Sequence, residues 1–115
     1  MLKKIMILLL AVSANNALAN YSCTGKVKYL GTDVSLQISN GYGVHRLCSF
    51  YNSENPAEGE MCKTWLSLVL SAQAQDRNIS IYYSDHNSKT GDDNTCSSIG
   101  NWVTPSDKAY HLQII

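Results

Sequence analysis

The side chains of this 115-residue chain with the most chemistry to offer are four cysteines, three histidines and two tryptophans. Cys23, Cys48, Cys62 and Cys96 include no Cys-x-x-Cys pair, and the histidines at 45, 86 and 111 stand far apart. Structural zinc sites draw their ligands from closely spaced pairs, so no metal is expected. An even set of cysteines in a short exported chain reads instead as a disulfide framework. Four cysteines can pair in three ways, and the residues by themselves leave all three open.

Catalysis would need a nucleophile, a base and a group to orient it. Ser84, Asp85, His86 and Ser88 could be drawn as such a set, but no nucleophile elbow accompanies them and the segment is polar throughout. It reads as a solvated turn. SDHNSKTGDDN (84–94) offers oxygen atoms to calcium, yet the glycine and closing glutamate of an EF-hand loop are missing from their places. The expectation is no catalytic residue, no metal and no cofactor. His45 and His111 occupy alternating strand positions that would face solvent or an interface. Binding chemistry is better represented. Asn101 and Trp102 lie in a Gly/Asn/Ser-rich stretch, where an indole can offer a sugar ring a flat apolar face and an N–H. The alternative is that Trp102 folds back over an open barrel end. Tyr42, inside NGYG, and Asp33, in a turn, are the further glycan-binding candidates.

Residues 1–19 read as a signal peptide: Lys3 and Lys4, an apolar IMILLLAV (5–12), and a small-residue cleavage site ALA (17–19). That apolar run falls short of the roughly 20 residues a membrane-spanning helix needs, so no integral membrane segment would survive cleavage. Residues 20–115 would be one domain, secreted or periplasmic. Without Lys3 and Lys4 the balance is seven basic against nine acidic side chains. Nucleic acid is a poor partner for such a charge.

These residues need elements to position them. YSCTGKVKYLG (21–31) reads as a first strand, with Val27 and Tyr29 alternating against lysines, and TDVSLQIS (32–39) as a second, with Val34, Leu36 and Ile38 on one face. NGYG (40–43) is a hairpin signal leading into VHRLCSFY (44–51). After the polar loop 52–60, CKTWLSLVLSAQAQ (62–75) has helical spacing, with Cys62, Trp65, Leu66, Val69 and Ala72 on one side. NISIYY (78–83) and AYHLQII (109–115) complete the strands, and in the former one of Tyr82 and Tyr83 must face outward. Three strands, a helix and two strands suggest a small, mostly antiparallel barrel. The segment 84–107 is either functional or conceals an element.

Within this framework CTGKVKY (23–29) is similar to the N-terminal strand of the Shiga toxin B subunit family, and SLVLSAQ (67–73) to its central helix. NISI and Cys96 fall where that family has its next strand and second cysteine. The resemblance implies an OB-fold, a five-stranded Greek-key barrel with a helix between strands three and four. It implies a Cys23–Cys96 bond and, with it, a Cys48–Cys62 bond, and it puts Trp65 in the core. It also implies a non-catalytic subunit that recognises glycans on host-cell surfaces, assembles as a homopentamer and carries a catalytic A subunit. The family's receptor residues find no match, since its acidic run is reduced here to Gly31, Thr32 and Asp33. The Cys48 and Cys62 pair and the long segment 84–107 are closer to the B subunits of the pertussis and subtilase toxins. A reading from another class is a monomeric periplasmic or secreted module that binds or inhibits a protein, since OB-folds host many functions.

Overall fold

The computed structural model describes residues 20–84 and 90–115. The leader at 1–19, and Asp85, His86 and Ser88, lie outside the described residues. The strands form two separate three-stranded antiparallel sheets. β1 (Tyr21–Lys26), β5 (Asn78–Tyr83) and β6 (Ala109–Ile114) make one, with β5 central. β2 (Tyr29–Thr32), β3 (Ser35–Ser39) and β4 (His45–Ser49) make the other, with β3 central. Helix α1 (Pro56–Ala74) joins β4 to β5, and the short α2 (Asp93–Ser97) precedes β6.

The five-stranded OB-fold barrel expected from the sequence is therefore corrected: neither sheet closes. The stretch read as one first strand breaks at Val27 and Lys28. Its first half pairs with β5 and its second half with β3. Closure between β4 and β6 fails because donors along β4 are engaged elsewhere. The Ser49 N–H donates to Glu58 Oε2 (3.1 Å), and the Arg46 N–H donates to the Val103 carbonyl (2.9 Å). His45 and Val103 form an isolated parallel bridge there, and Pro105, which has no N–H, follows shortly after. A cleft of about 300 Å³, lined by Arg46, Leu47, Glu58, Thr104, Pro105 and Lys108 among others, opens where a barrel would have closed.

The core lies between the sheets and α1. Ile79, Ile81 and Tyr83 of β5 alternate inward to meet Leu36 and Ile38 of β3. α1 adds Cys62, Trp65, Val69 and Ala72, whose spacing places them on one helical face. Trp65 is core, as the helical register requires. The helix starts earlier than its apolar period does. Pro56 takes the first turn, where a missing N–H costs nothing, and Glu58 sits near the positive end of the helix dipole. The polar composition of 52–60 hides that turn. Within 84–107 lies α2, begun by Asp92, whose Oδ1 accepts the Thr95 N–H at 2.9 Å.

Both disulfides form as the resemblance implied, Cys23–Cys96 and Cys48–Cys62. The first ties the β1 sheet to α2, and the second ties β4 to α1. Each sheet thus carries one covalent staple. Val34, read as sharing a face with Leu36 and Ile38, is 65% exposed because it precedes β3 in a turn.

Candidate functional site

The segment 100–103 runs back along the end of β4, and the glycines on both sides make that approach possible. Gly43 (φ 103°) and Gly100 (φ 112°) are left-handed, and a Cβ on Gly43 would stand 2.5 Å from the Gly100 carbonyl oxygen. Trp102 is also left-handed (φ 61°), which costs an L-residue about 1–2 kcal/mol. Hydrogen bonds offset that cost. The Trp102 N–H donates to the Val44 carbonyl (2.7 Å), and the Val44 N–H donates to Asn101 Oδ1 (2.8 Å). Arg46 Nη1 donates to the Trp102 carbonyl (3.3 Å). The indole is consequently turned outward, 47% exposed, with its ring edge-to-face with Tyr29 at 5.3 Å and 76°.

Polar groups surround this aromatic pair. Tyr29, Gly31, Gln37 and Arg46 share the outward face of the second sheet, because Leu30 and Ile38 take the inward positions of the same register. The Tyr29 ring lies over Gly31, where a Cβ would meet its hydroxyl at 2.7 Å. Gln37 is buried and its Nε2 donates to Asp33 Oδ2 (2.9 Å). Asp33 Oδ1 accepts the Ser35 N–H (2.8 Å) and hydroxyl (3.1 Å). Those bonds to Ser35, with a smaller contribution from Arg46, hold the Asp33 carboxyl below the ordinary carboxylate range. The face therefore combines two aromatic rings with a carboxylate, an amide and a guanidinium. Such a set can stack on the C–H face of a sugar and exchange paired hydrogen bonds with its hydroxyls.

Of the four expected glycan-binding residues, the structure brings three to this region. Trp102 and Asn101 share the loop, although Asn101 spends its carbonyl on positioning Val44. Asp33 is joined to them through Gln37 and Arg46. Tyr42 is elsewhere: its hydroxyl donates to the Thr24 carbonyl (3.0 Å) and Asp93 Oδ1 (3.4 Å), tying the hairpin to β1 and α2. Its phenol is shifted upward by burial and by Asp93. Trp102 does not fold back into the core. Tyr29, Gln37 and Arg46 were not anticipated. Tyr29 was read as inward, but the break at Val27 and Lys28 reverses its alternation. For Gln37, its period-two position opposite Leu36 and Ile38 was the available signal.

His45 is the other departure. It faces neither solvent nor an interface but is 1% exposed, because its register partner is the core residue Ile38. Its Nε2 lies 3.0 Å from the Gly100 carbonyl and its Nδ1 3.3 Å from the Tyr83 hydroxyl. Tyr21 stacks on Tyr83 (5.3 Å) and donates to Asp107 Oδ2 (2.8 Å). His111 is exposed, beside the Tyr82 ring at 5.3 Å.

Among the described residues no three His, Cys, Asp or Glu side chains gather as metal ligands, and no helix is long and apolar enough to cross a membrane. No family model, no curated protein and no solved structure matches this chain.

Proposed function

We propose that the protein is an exported, non-catalytic binding module that recognises a cell-surface glycan through Trp102, Tyr29, Asp33, Gln37 and Arg46. The observation that carries this reading is the exposed indole, held in a left-handed conformation by three backbone and side-chain hydrogen bonds and set beside buried and ordered polar groups. A tryptophan held outward at a conformational cost favours a surface role over a packing role. The two disulfides fit an oxidising compartment, extracellular or periplasmic. The similarity of 23–29 and 67–73 to Shiga toxin B subunits supports the same reading and extends it to ring assembly around a catalytic partner.

A glycan array probed with the oxidised protein tests the reading, alongside its mass in solution. Binding that disappears in Trp102→Ala supports it, and an array blank for the wild type overturns it. A monomer with a blank array favours the second reading, a protein-binding or inhibitor module. The observation on that side is the cluster on the other sheet in which a half-buried Tyr82 is flanked by the exposed Tyr110 and His111.

A further inference from the structure

We propose that His45 is an acid-sensitive latch on the loop that carries Trp102, holding it near neutral pH and releasing it when the imidazole gains a second proton. The consequence for ligand rests on the glycan-binding reading above; the latch itself concerns the loop alone.

The geometry assigns one neutral tautomer. The Gly100 carbonyl can only accept, so Nε2 carries the hydrogen and donates to it (3.0 Å). Nδ1 is then a lone pair and accepts from the Tyr83 hydroxyl (3.3 Å). A second proton would oblige that hydroxyl to turn and accept instead of donate, and would place a positive charge in a site only 1% exposed.

The neighbours offer little to hold such a charge. From β5 comes the Tyr83 phenol, which burial keeps neutral. From β1, Tyr21 stacks on Tyr83 and donates its own hydroxyl to the buried Asp107 carboxylate. β3 contributes the apolar Ile38. The hairpin contributes the Tyr42 carbonyl, while the Tyr42 phenol turns to Thr24 and Asp93. Arg46, next in β4, directs its guanidinium at the Trp102 carbonyl. Burial accordingly lowers the basicity of His45, and the Gly100 and Tyr42 carbonyls oppose that shift.

Protonation is relieved most cheaply by opening, and the loop is the part that can open. It is joined to β4 by the Gly100, Asn101, Trp102 and Val103 contacts, and Trp102 leaves its left-handed conformation when they break. An opened His45 would titrate near the ordinary value of about 6.5. Between that value and its lower value in the closed state, the open-to-closed ratio rises about tenfold per pH unit.

Hydrogen exchange of the oxidised full chain by NMR, from pH 7.5 to 5, tests this. The Trp102 amide is compared with the Ile81 amide in central β5, while the His45 ring signal is followed. The expected result is relative protection of Trp102 that falls below about pH 6.5, by up to about tenfold per pH unit, together with the His45 titration. In His45→Gln, which keeps an amide donor for Gly100 but cannot titrate, relative protection should stay flat. Should that variant not fold, the wild type decides alone. A constant ratio down to pH 5, or one that changes independently of the His45 signal, overturns the latch. Loop opening in a protein that binds no glycan at pH 7.5 would overturn the binding reading and leave the latch standing. Binding equal at both pH values with flat protection would do the reverse.

Discussion

On the β1-β5-β6 sheet the outward aromatic groups all come from strands: Tyr82 with Tyr110 at 6.3 Å and His111 at 5.3 Å, and Gln113 Nε2 donating to the Tyr82 hydroxyl at 3.2 Å. On the β2-β3-β4 sheet the outward face draws on Tyr29, Asp33, Gln37, Arg46 and Trp102, and the indole comes from a loop. The inward faces are alike, with Leu36 and Ile38 alternating in β3 and Ile79 and Ile81 in β5. The first outer face is a by-product of strand pairing and can change only if the sheet does. The second depends on a segment that local contacts hold in left-handed backbone. A face of that kind can present a side chain in a direction no strand allows, and it can be moved without unfolding a sheet.

The largest effects should come from the staples, one on each sheet. Replacing Cys23 and Cys96 by serine removes a crosslink spanning 73 residues and should cost about 4–5 kcal/mol. Replacing Cys48 and Cys62 removes one spanning 14 residues and should cost about 3 kcal/mol. Urea unfolding of the two double variants measures both. The short-span variant should also lose hydrogen-exchange protection first around β4 and the start of α1. Equal losses spread evenly over both sheets would show that the sheets do not differ in how they are secured.

The next effect separates the outer faces by function. Trp102→Gly should weaken glycan binding by at least about tenfold, or 1.4 kcal/mol. Its stability should change by no more than about 1 kcal/mol. The lost ring contact with Tyr29 is worth about 0.5–1.5 kcal/mol, and the relieved left-handed strain is of similar size and opposite sign. Tyr82→Ala on the other face should lose about 1 kcal/mol of stability through its ring contacts and leave glycan binding unchanged. Glycan affinity and urea midpoints of the two variants check this crossed pattern. Binding lost in Tyr82→Ala and kept in Trp102→Gly would reverse the roles of the two faces.

The same contrast explains what was legible in the residues. Regular alternation disclosed β3, β4, β5 and β6, and helical spacing disclosed the body of α1, because burial of one face acts on every second or every third-to-fourth residue. The disulfide partners became visible through the resemblance. What stayed hidden depends on backbone donors. Nothing in the residue types says that the Ser49 N–H goes to Glu58 or that Arg46 bonds Val103, and those two bonds help to leave the sheets unclosed. The site shows the same division. Trp102, Asn101 and Asp33 were readable from loop chemistry. Tyr29 and Arg46 were not, since their outward direction is set by the break at Val27 and Lys28 and by the irregular β3–β4 register at Leu36 and Gln37.

The smallest effect is a pH dependence carried by His45. Burial lowers the pKa of His45 in the folded protein, so folding favours its neutral form. The unfolded state then binds the extra proton first. The stability that depends on neutral His45 is fully present above the unfolded value of about 6.5 and is lost as the pH falls from there toward the lower folded value. Each unit of that depression is worth about 1.4 kcal/mol. Asp33 and Asp92 are shifted downward as well, mainly by backbone N–H donors, so their contribution is present above the ordinary carboxylate value and lost at more acidic pH. The two windows do not overlap near pH 6. Urea midpoints between pH 7.5 and 5 should therefore decline in the wild type and should stay level in His45→Gln. A decline that persisted in His45→Gln would move the acid sensitivity away from the loop-built face.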